Sequence, residues 1–173
     1  MLRAPSDTAR LFLALWPGPA AREGLLGWRD AWRWPPSASP VRDDKLHITL
    51  HFIGNVHRDR VSQVKDGLAV PFATFEMSFG RATLWPHGLA VLHPHAAPVQ
   101  LLQLHVSLRV ALQQLDLPTE DRAFRPHVTL ARRAEGATPP ADGPALRWRV
   151  RGYELMESRP GVAGGYSVVQ RYA

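Results

Sequence analysis

Residues 45–55 read KLHITLHFIGN. Polar and apolar side chains alternate along this stretch. His47, Thr49 and His51 share one parity, and Leu46, Ile48, Leu50 and Phe52 share the other. A period of two, rich in β-branched residues and closed by Gly54-Asn55, predicts a half-buried strand. Residues two apart on a strand point the same way, so His47 and Thr49 present an imidazole and a hydroxyl together. Ile48 and Leu50 anchor the opposite face in a core. The pattern His-x-Thr-Leu returns at His127-Val128-Thr129-Leu130, 80 residues later. One such tetrad is a weak signal, because short β-rich runs produce it by chance. Two, each on a predicted strand, predict two histidines on facing strands, an acid/base pair with a hydroxyl beside each ring to hold an anion.

The composition narrows the chemistry. At 173 residues and 19.3 kDa the chain is long enough for one compact domain with a real core, or two small lobes sharing one. No apolar run approaches the roughly 20 residues needed to cross a bilayer, and no leader or membrane anchor is expected. The chain contains no cysteine, which removes disulfides, thiolate metal sites and cysteine nucleophiles, and suits a reducing cytoplasm. The net charge is +6, and only Lys45 and Lys65 among the 21 basic residues are lysines. Guanidinium is a fork donor matched to phosphate, so a nucleic acid or another phosphorylated partner is expected, although a coding bias toward arginine accounts for such an excess equally well.

Outward from the two tetrads, periodicity predicts a loose terminus over residues 1–8 and a strand over 9–16 stopped by Pro17-Gly18-Pro19. A helix follows from Ala20 with Ala21, Leu25, Trp28 and Trp32 on one face, weakened by Gly24 and Gly27. Another is expected over 59–69 with Val61, Val64 and Leu68 inward, and a third after Pro98 with Leu101, Leu104, Leu108, Leu112 and Leu115 on one side. Short strands are predicted over 75–79, 82–85 and 89–93, the last two joined by a turn at Pro86-His87-Gly88. Residues 134–144, AEGATPPADGP, read as a flexible surface loop. A strand over 146–151 shows a basic face of Arg147, Arg149 and Arg151, with Gly152 expected to bulge it, and residues 166–172 form a last strand. The fold class is α+β with approximate internal symmetry.

The other histidines read less sharply. His57, His87, His93 and His95 lie beside turn or proline signals and are expected to be exposed and idle. His105 lies beside the apolar stripe of the long helix, where partial burial is expected. His51 shares the parity of His47 and could line the same groove. Four-residue spacing suggests a zinc pair on a helix; on a strand it does not, and only Asp43 or Asp44 stands near as a third ligand. No metal and no cofactor are therefore expected.

HITLHFIG and PHVTLAR resemble the two signature motifs of the 2H phosphoesterase superfamily, closest to its RNA 2',3'-cyclic phosphodiesterases, also called 2'-5' RNA ligases. The opening RLFLAL, the approach from Phe124 to His127, and Glu157-Ser158 with Gly165-Tyr166 match the same branch. His51 departs from it, since a small or apolar residue is usual there, as does the proline-rich loop over 134–144. The resemblance implies a bilobal fold over residues 1–173 as a single domain of two intertwined lobes, each an antiparallel sheet with helices outside and a groove between. It implies His47 as proton donor, His127 as proton acceptor, Thr49 and Thr129 as phosphate-binding hydroxyls, and Arg132 as a further phosphate ligand. The implied substrate is RNA with a 2',3'-cyclic phosphate end, tRNA fragments among the candidates, opened to a 2'-phosphate by a monomeric cytoplasmic enzyme with no membrane partner. Reversible 2'-5' ligation belongs to the same implied chemistry. Two other readings stay open: a 2H phosphoesterase for a small cyclic nucleotide, and a non-catalytic RNA-binding module.

Overall fold

The computed structural model describes residues 7–161 and 165–173. The loose terminus expected over residues 1–8 lies largely outside that range, and β1 is already formed at Thr8. In chain order the elements are β1 (Thr8–Leu15), α1 (Pro19–Asp30), β2 (Ser39–Pro40), β3 (Ile48–His57), α2 (Val61–Gly67), β4 (Phe75–Trp85), β5 (Leu89–Pro94), α3 (Val99–Gln114), β6 (Val128–Arg132), β7 (Leu146–Val150), β8 (Tyr153–Ser158) and β9 (Tyr166–Tyr172). Every strand pairing is antiparallel, in the order β7-β4-β5-β6-β3-β1-β8-β9, with the short β2 added beside β6. The two halves, β7-β4-β5-β6 and β3-β1-β8-β9, meet at one residue pair, Ile48 opposite Val128. The two expected sheets therefore exist as halves fused at their centre.

The halves exchange helices. α1 leaves β1 but packs on β7 of the other half, and α3 leaves β5 but packs on β3. The glycines at 24 and 27 do not break α1. A Cβ on Gly24 would collide with the Leu146 side chain, so glycine is what lets α1 settle closely onto β7. One continuous hydrophobic core runs from Leu11, Leu13 and Leu15 through Ile48, Leu92 and Leu108 to Val128 and Trp148. No helix among the described residues is long and apolar enough to cross a membrane.

Several expectations need correction. The helix over 59–69 is a 3-10 turn, Arg58–Arg60, followed by α2, and Val61 is only partly buried. The strands expected over 75–79 and 82–85 are one strand, β4, with a bulge between Phe79 and Arg81. Gly152 separates β7 from a further strand, β8, instead of bulging one. β8 escaped the period-two pattern because Leu155, Met156 and Glu157 are all buried: Leu155 faces the main core, Met156 packs with Phe12 and Ala14 on the other face, and Arg58 pairs with Glu157 at 2.8 Å.

The loop over 134–144 is tied down. Thr138 exchanges two backbone hydrogen bonds with Arg33, Trp28 Nε1 donates to Pro144 O at 2.8 Å, and Ala134 and Ala137 are buried. Low-complexity composition concealed these alanines as core residues.

His51 does not line the groove. Pairing with β1 passes from Thr49 opposite Ala14 to His51 opposite Leu13, so Leu50 is a bulge and the alternation reverses beyond it. His51 turns into the interior, where Nε2 lies 2.9 Å from His105 O and its ring stacks on His105 at 4.0 Å. His105 in turn stacks on Phe124, also at 4.0 Å, and is buried more fully than expected. The opposite reversal brings Phe52 to the open face, 61% exposed.

Burial holds the His105 imidazole down to about 4 and lowers that of His51. An unfolded histidine titrates near 6.5. Acid therefore favours the unfolded chain, and the stability that is complete above about pH 6.5 is lost as pH falls toward 4. The midpoint of thermal unfolding should fall steeply across that window. His105→Phe, which keeps the stack and removes the proton site, should make the fall shallower. An unchanged slope would show that folding does not depress the His105 pKa.

Candidate active site

Each tetrad histidine lies one residue before its strand, His47 before β3 and His127 before β6. The antiparallel pair Ile48–Val128 sets the neighbours: continuing its register, Thr49 falls across from His127 and His47 across from Thr129. Ile48 and Val128 are fully buried, so His47, Thr49, His127 and Thr129 rise on the opposite, open face. The two strands leave this pair in opposite directions, and the four side chains are arranged about a local two-fold axis through it. The structure thus brings together both histidines and both threonines singled out in the sequence.

The same local device holds each ring. His47 Nδ1 donates to Lys45 O at 2.7 Å, and His127 Nδ1 donates to Arg125 O at 2.7 Å. This leaves Nε2 of each ring directed to the open face; that of His47 lies 3.2 Å from Thr49 Oγ1, which donates to it when the ring is neutral. Burial pushes the His47 imidazole down to about 4, reinforced by the positive charges of Arg132 and a protonated His127. Burial also lowers His127, again reinforced by Arg125 and Arg132. Arg132 is exposed, and its positive charge acts on both rings.

The bulge at Leu50 has a counterpart. Pairing of β6 with β5 passes from Thr129 opposite Val91 to Ala131 opposite Ala90, so Leu130 is the extra residue. Both tetrads therefore end in a bulged leucine. Beyond it His51 and Ala131 turn inward, while Phe52 and Arg132 return to the open face. The site carries a guanidinium on one side of the axis and a phenyl ring on the other.

Aromatic rings surround both histidines. Trp16 stacks on His47 at 4.7 Å with planes 3° apart, Tyr166 meets that ring edge-on at 5.7 Å, and Phe12 lies 5.5 Å away. Trp85 lies 4.5 Å from His127 and 5.2 Å from His93. Beside His127, Arg81, Thr83, Trp85, His93 and Arg125 line a cavity of about 400 Å³, with the Arg125 guanidinium 4.5 Å over the Trp85 ring. Beside His47, Trp16, Arg22, Glu154, Tyr166 and Arg171 line a second of about 290 Å³.

His93 is partly buried instead of exposed, His95 is exposed as expected, and both border the first cavity. His93 faces Arg81 across β4 and β5 on the open face. The available signal was the parity of Thr83, Arg81 and His93, which the Gly80 bulge disguised. Trp16 and Trp85 carried no signal beyond their positions at strand ends. Among the described residues no group of three or more histidines and carboxylates converges to hold a metal ion, and His51 points away from His47. Two imidazoles with Nε2 directed to the open face, two hydroxyls and one guanidinium can exchange protons at opposite sides of a bound phosphoryl group while neutralising its charge.

Comparison with known proteins agrees in extent and fold. The Escherichia coli (strain K12) protein named RNA 2',3'-cyclic phosphodiesterase is 32% identical over 159 residues, covering 88% of this chain and 89% of that protein. A Thermus thermophilus protein of the same name is 30% identical over 182 aligned positions, covering 95% and 89%. The crystal structure of E. coli LigT complexed with 3'-AMP superposes with a TM-score of 0.85 at 29% identity, covering 96% of this chain and 98% of that one. Residues 17–159 match the family described as the 2'-5' RNA ligase superfamily. By that match, and by its identity with these relatives over most of its length, the chain belongs to the 2'-5' RNA ligase superfamily.

Proposed function

We propose that this chain hydrolyses the 2',3'-cyclic phosphate ends of RNA to 2'-phosphates, without a metal, using His47 as proton donor and His127 as proton acceptor. The observation that carries the proposal is the convergence of two His-x-Thr tetrads on one open face about the Ile48–Val128 pair. The relatives' names supply the substrate. Water loses a proton to Nε2 of one histidine as its oxygen bonds to phosphorus. The P–O3' bond breaks, and O3' takes a proton from the other histidine. Thr49, Thr129 and Arg132 hold the equatorial oxygens as negative charge builds on them. A 5'-hydroxyl in place of water would give a 2'-5' bond by the same proton transfers. We take the whole chain to act as one unit and as a monomer, and its lack of cysteine suits the cytoplasm.

Both imidazoles are held below their ordinary value by burial, His47 at about 4. The free enzyme needs one ring charged and one neutral. The dependence of kcat/KM on pH should therefore be a bell centred below pH 6.5, with both limbs displaced to acid. The anionic substrate favours the charged ring, so the kcat profile should lie at higher pH. A kcat/KM maximum above about pH 7 would contradict these environments.

Role assignment is testable through the leaving group. His47→Ala and His127→Ala should each lower kcat for the cyclic phosphate by about 10²- to 10⁴-fold. A nitrophenolate leaves without a proton, so a nitrophenyl phosphodiester should restore much of the activity of His47→Ala and little of His127→Ala. The opposite rescue would exchange the roles. Phosphorus NMR of the product should show the 2'-phosphate, and a 3'-phosphate would overturn the proposed regiochemistry.

Arg132→Ala should weaken both kcat and phosphate binding. It should also let both imidazoles titrate at higher pH, because its charge depresses each of them. NMR titration of the two histidines in the variant checks this, and unmoved histidine pKa values would place Arg132 outside the site.

A further inference from the structure

The basic row of β7 lies on the same face as the tetrads. Cross-strand partners share a face, so Thr129 on β6, Val91 on β5 and Thr83 on β4 form one line across the open side. Arg81 and His93 are likewise partners on that side. The bulge at Gly80 keeps Ser78 and Glu76 there as well, while Phe79 and Met77 stay buried. Ser78 is opposite Arg147 and Glu76 is opposite Arg149, whereas buried Met77 is opposite buried Trp148. Arg147 and Arg149 therefore point to the side that carries His127 and Thr129, away from α1. Exposed Arg151 follows them in alternation. Among the described residues the only carboxylate ion-paired with this row is Glu76, 3.8 Å from Arg147 in an exposed pair of little strength. Arg125 and Arg81 lie between the row and the site, and the cavity they border contains no carboxylate.

We propose that this face is a track for single-stranded RNA, in which Arg147, Arg149 and Arg151 hold phosphates upstream of the cyclic end. This rests on the cyclic phosphodiesterase reading and adds a preference for a polymer over a mononucleotide. The cavity beside His47 does not extend the track, because its arginines are balanced by Asp44 and Glu154. Three inter-strand steps separate β6 from β7, about 14 Å at ~4.8 Å each. The row is also displaced along the strands, since Arg147 is opposite Ser78 whereas the level of His127 corresponds to Arg81. Its arginines therefore lie about 16 to 24 Å from the site, about five to seven nucleotides at a stacked rise of about 3.4 Å. The competing account is that charges at a sheet edge merely prevent strand addition.

The test compares a cyclic mononucleotide with single-stranded oligonucleotides of about two to twelve residues carrying the cyclic end. Wild type should gain in kcat/KM with length and level off at about eight nucleotides. Arg147→Gln/Arg149→Gln/Arg151→Gln keeps the edge polar. It should leave the mononucleotide within twofold of wild type and reduce the octamer by 10-fold or more. The slope of log(kcat/KM) against log salt for the octamer should become shallower by about 2, for three lost contacts. Lysine at all three positions should restore most of the octamer's advantage. The track is overturned if wild type shows no length dependence, if the glutamine variant keeps that dependence, or if both substrates fall together. Aggregation of the variant with unchanged kinetics would leave edge protection as the role of the row. A preference for duplex ends would also overturn it. Failure of wild type on every cyclic substrate would instead sink the cyclic phosphodiesterase reading.

Discussion

A single antiparallel residue pair joins the two halves of this sheet, and the candidate site depends on it. Ile48 and Val128 meet at the first residues of their strands, so β3 and β6 diverge as soon as they have paired. A longer ladder would align the strands and carry the tetrads into the middle of a regular sheet. A missing one would let the halves separate. One pair turns two copies of the same local motif toward a common point and leaves open space on either side of it. Its geometry persists because both side chains are fully buried and each half is clamped by a helix belonging to the other.

The tetrads repeat more than their histidines and threonines. Each starts with a ring fixed through Nδ1 to the carbonyl two residues earlier, and each ends in a bulged leucine. The bulge reverses the face of everything after it, which is why Arg132 and Phe52 reach the site while His51 is sent into the core. Symmetry of backbone thus coexists with asymmetry of chemistry. One side of the axis has Trp85, unbalanced guanidinium groups and a cavity free of carboxylates; the other has Phe12, Trp16, Phe52 and Tyr166, and a cavity whose arginines face Asp44 and Glu154. A phosphate bound there as proposed would meet more unbalanced positive charge on the first side and more aromatic surface on the second. That difference can separate the duties of two otherwise equivalent imidazoles.

The strongly periodic parts of the chain were legible from residues alone. The strand before Pro17, the leucine face of α3, the turn at His87 and the basic alternation of β7 are all formed as expected. Strict alternation failed wherever a bulge intervened. The bulges at Leu50, Gly80 and Leu130 account for the misplaced His51 and for the hidden alignment of Arg81 and His93 with the site. β8 was invisible for another reason: a strand buried on both faces has no alternation to display. The tight loop over 134–144 shows the limit of composition, because its small residues serve as core and as close-packing sites against Trp28. The histidines and threonines of the site were readable because they repeat. The aromatic neighbours were not, since contacts such as Trp16 on His47 exist only after strands distant in sequence have paired.

A crystal structure of the chain with a nucleoside 2'-phosphate tests the central claim most directly. The account predicts one phosphate seated over the Ile48–Val128 pair, within hydrogen-bonding distance of Nε2 of both His47 and His127, with Thr49, Thr129 and Arg132 on its remaining oxygens. A phosphate bound in one flanking cavity and touching a single histidine, or none, would contradict it.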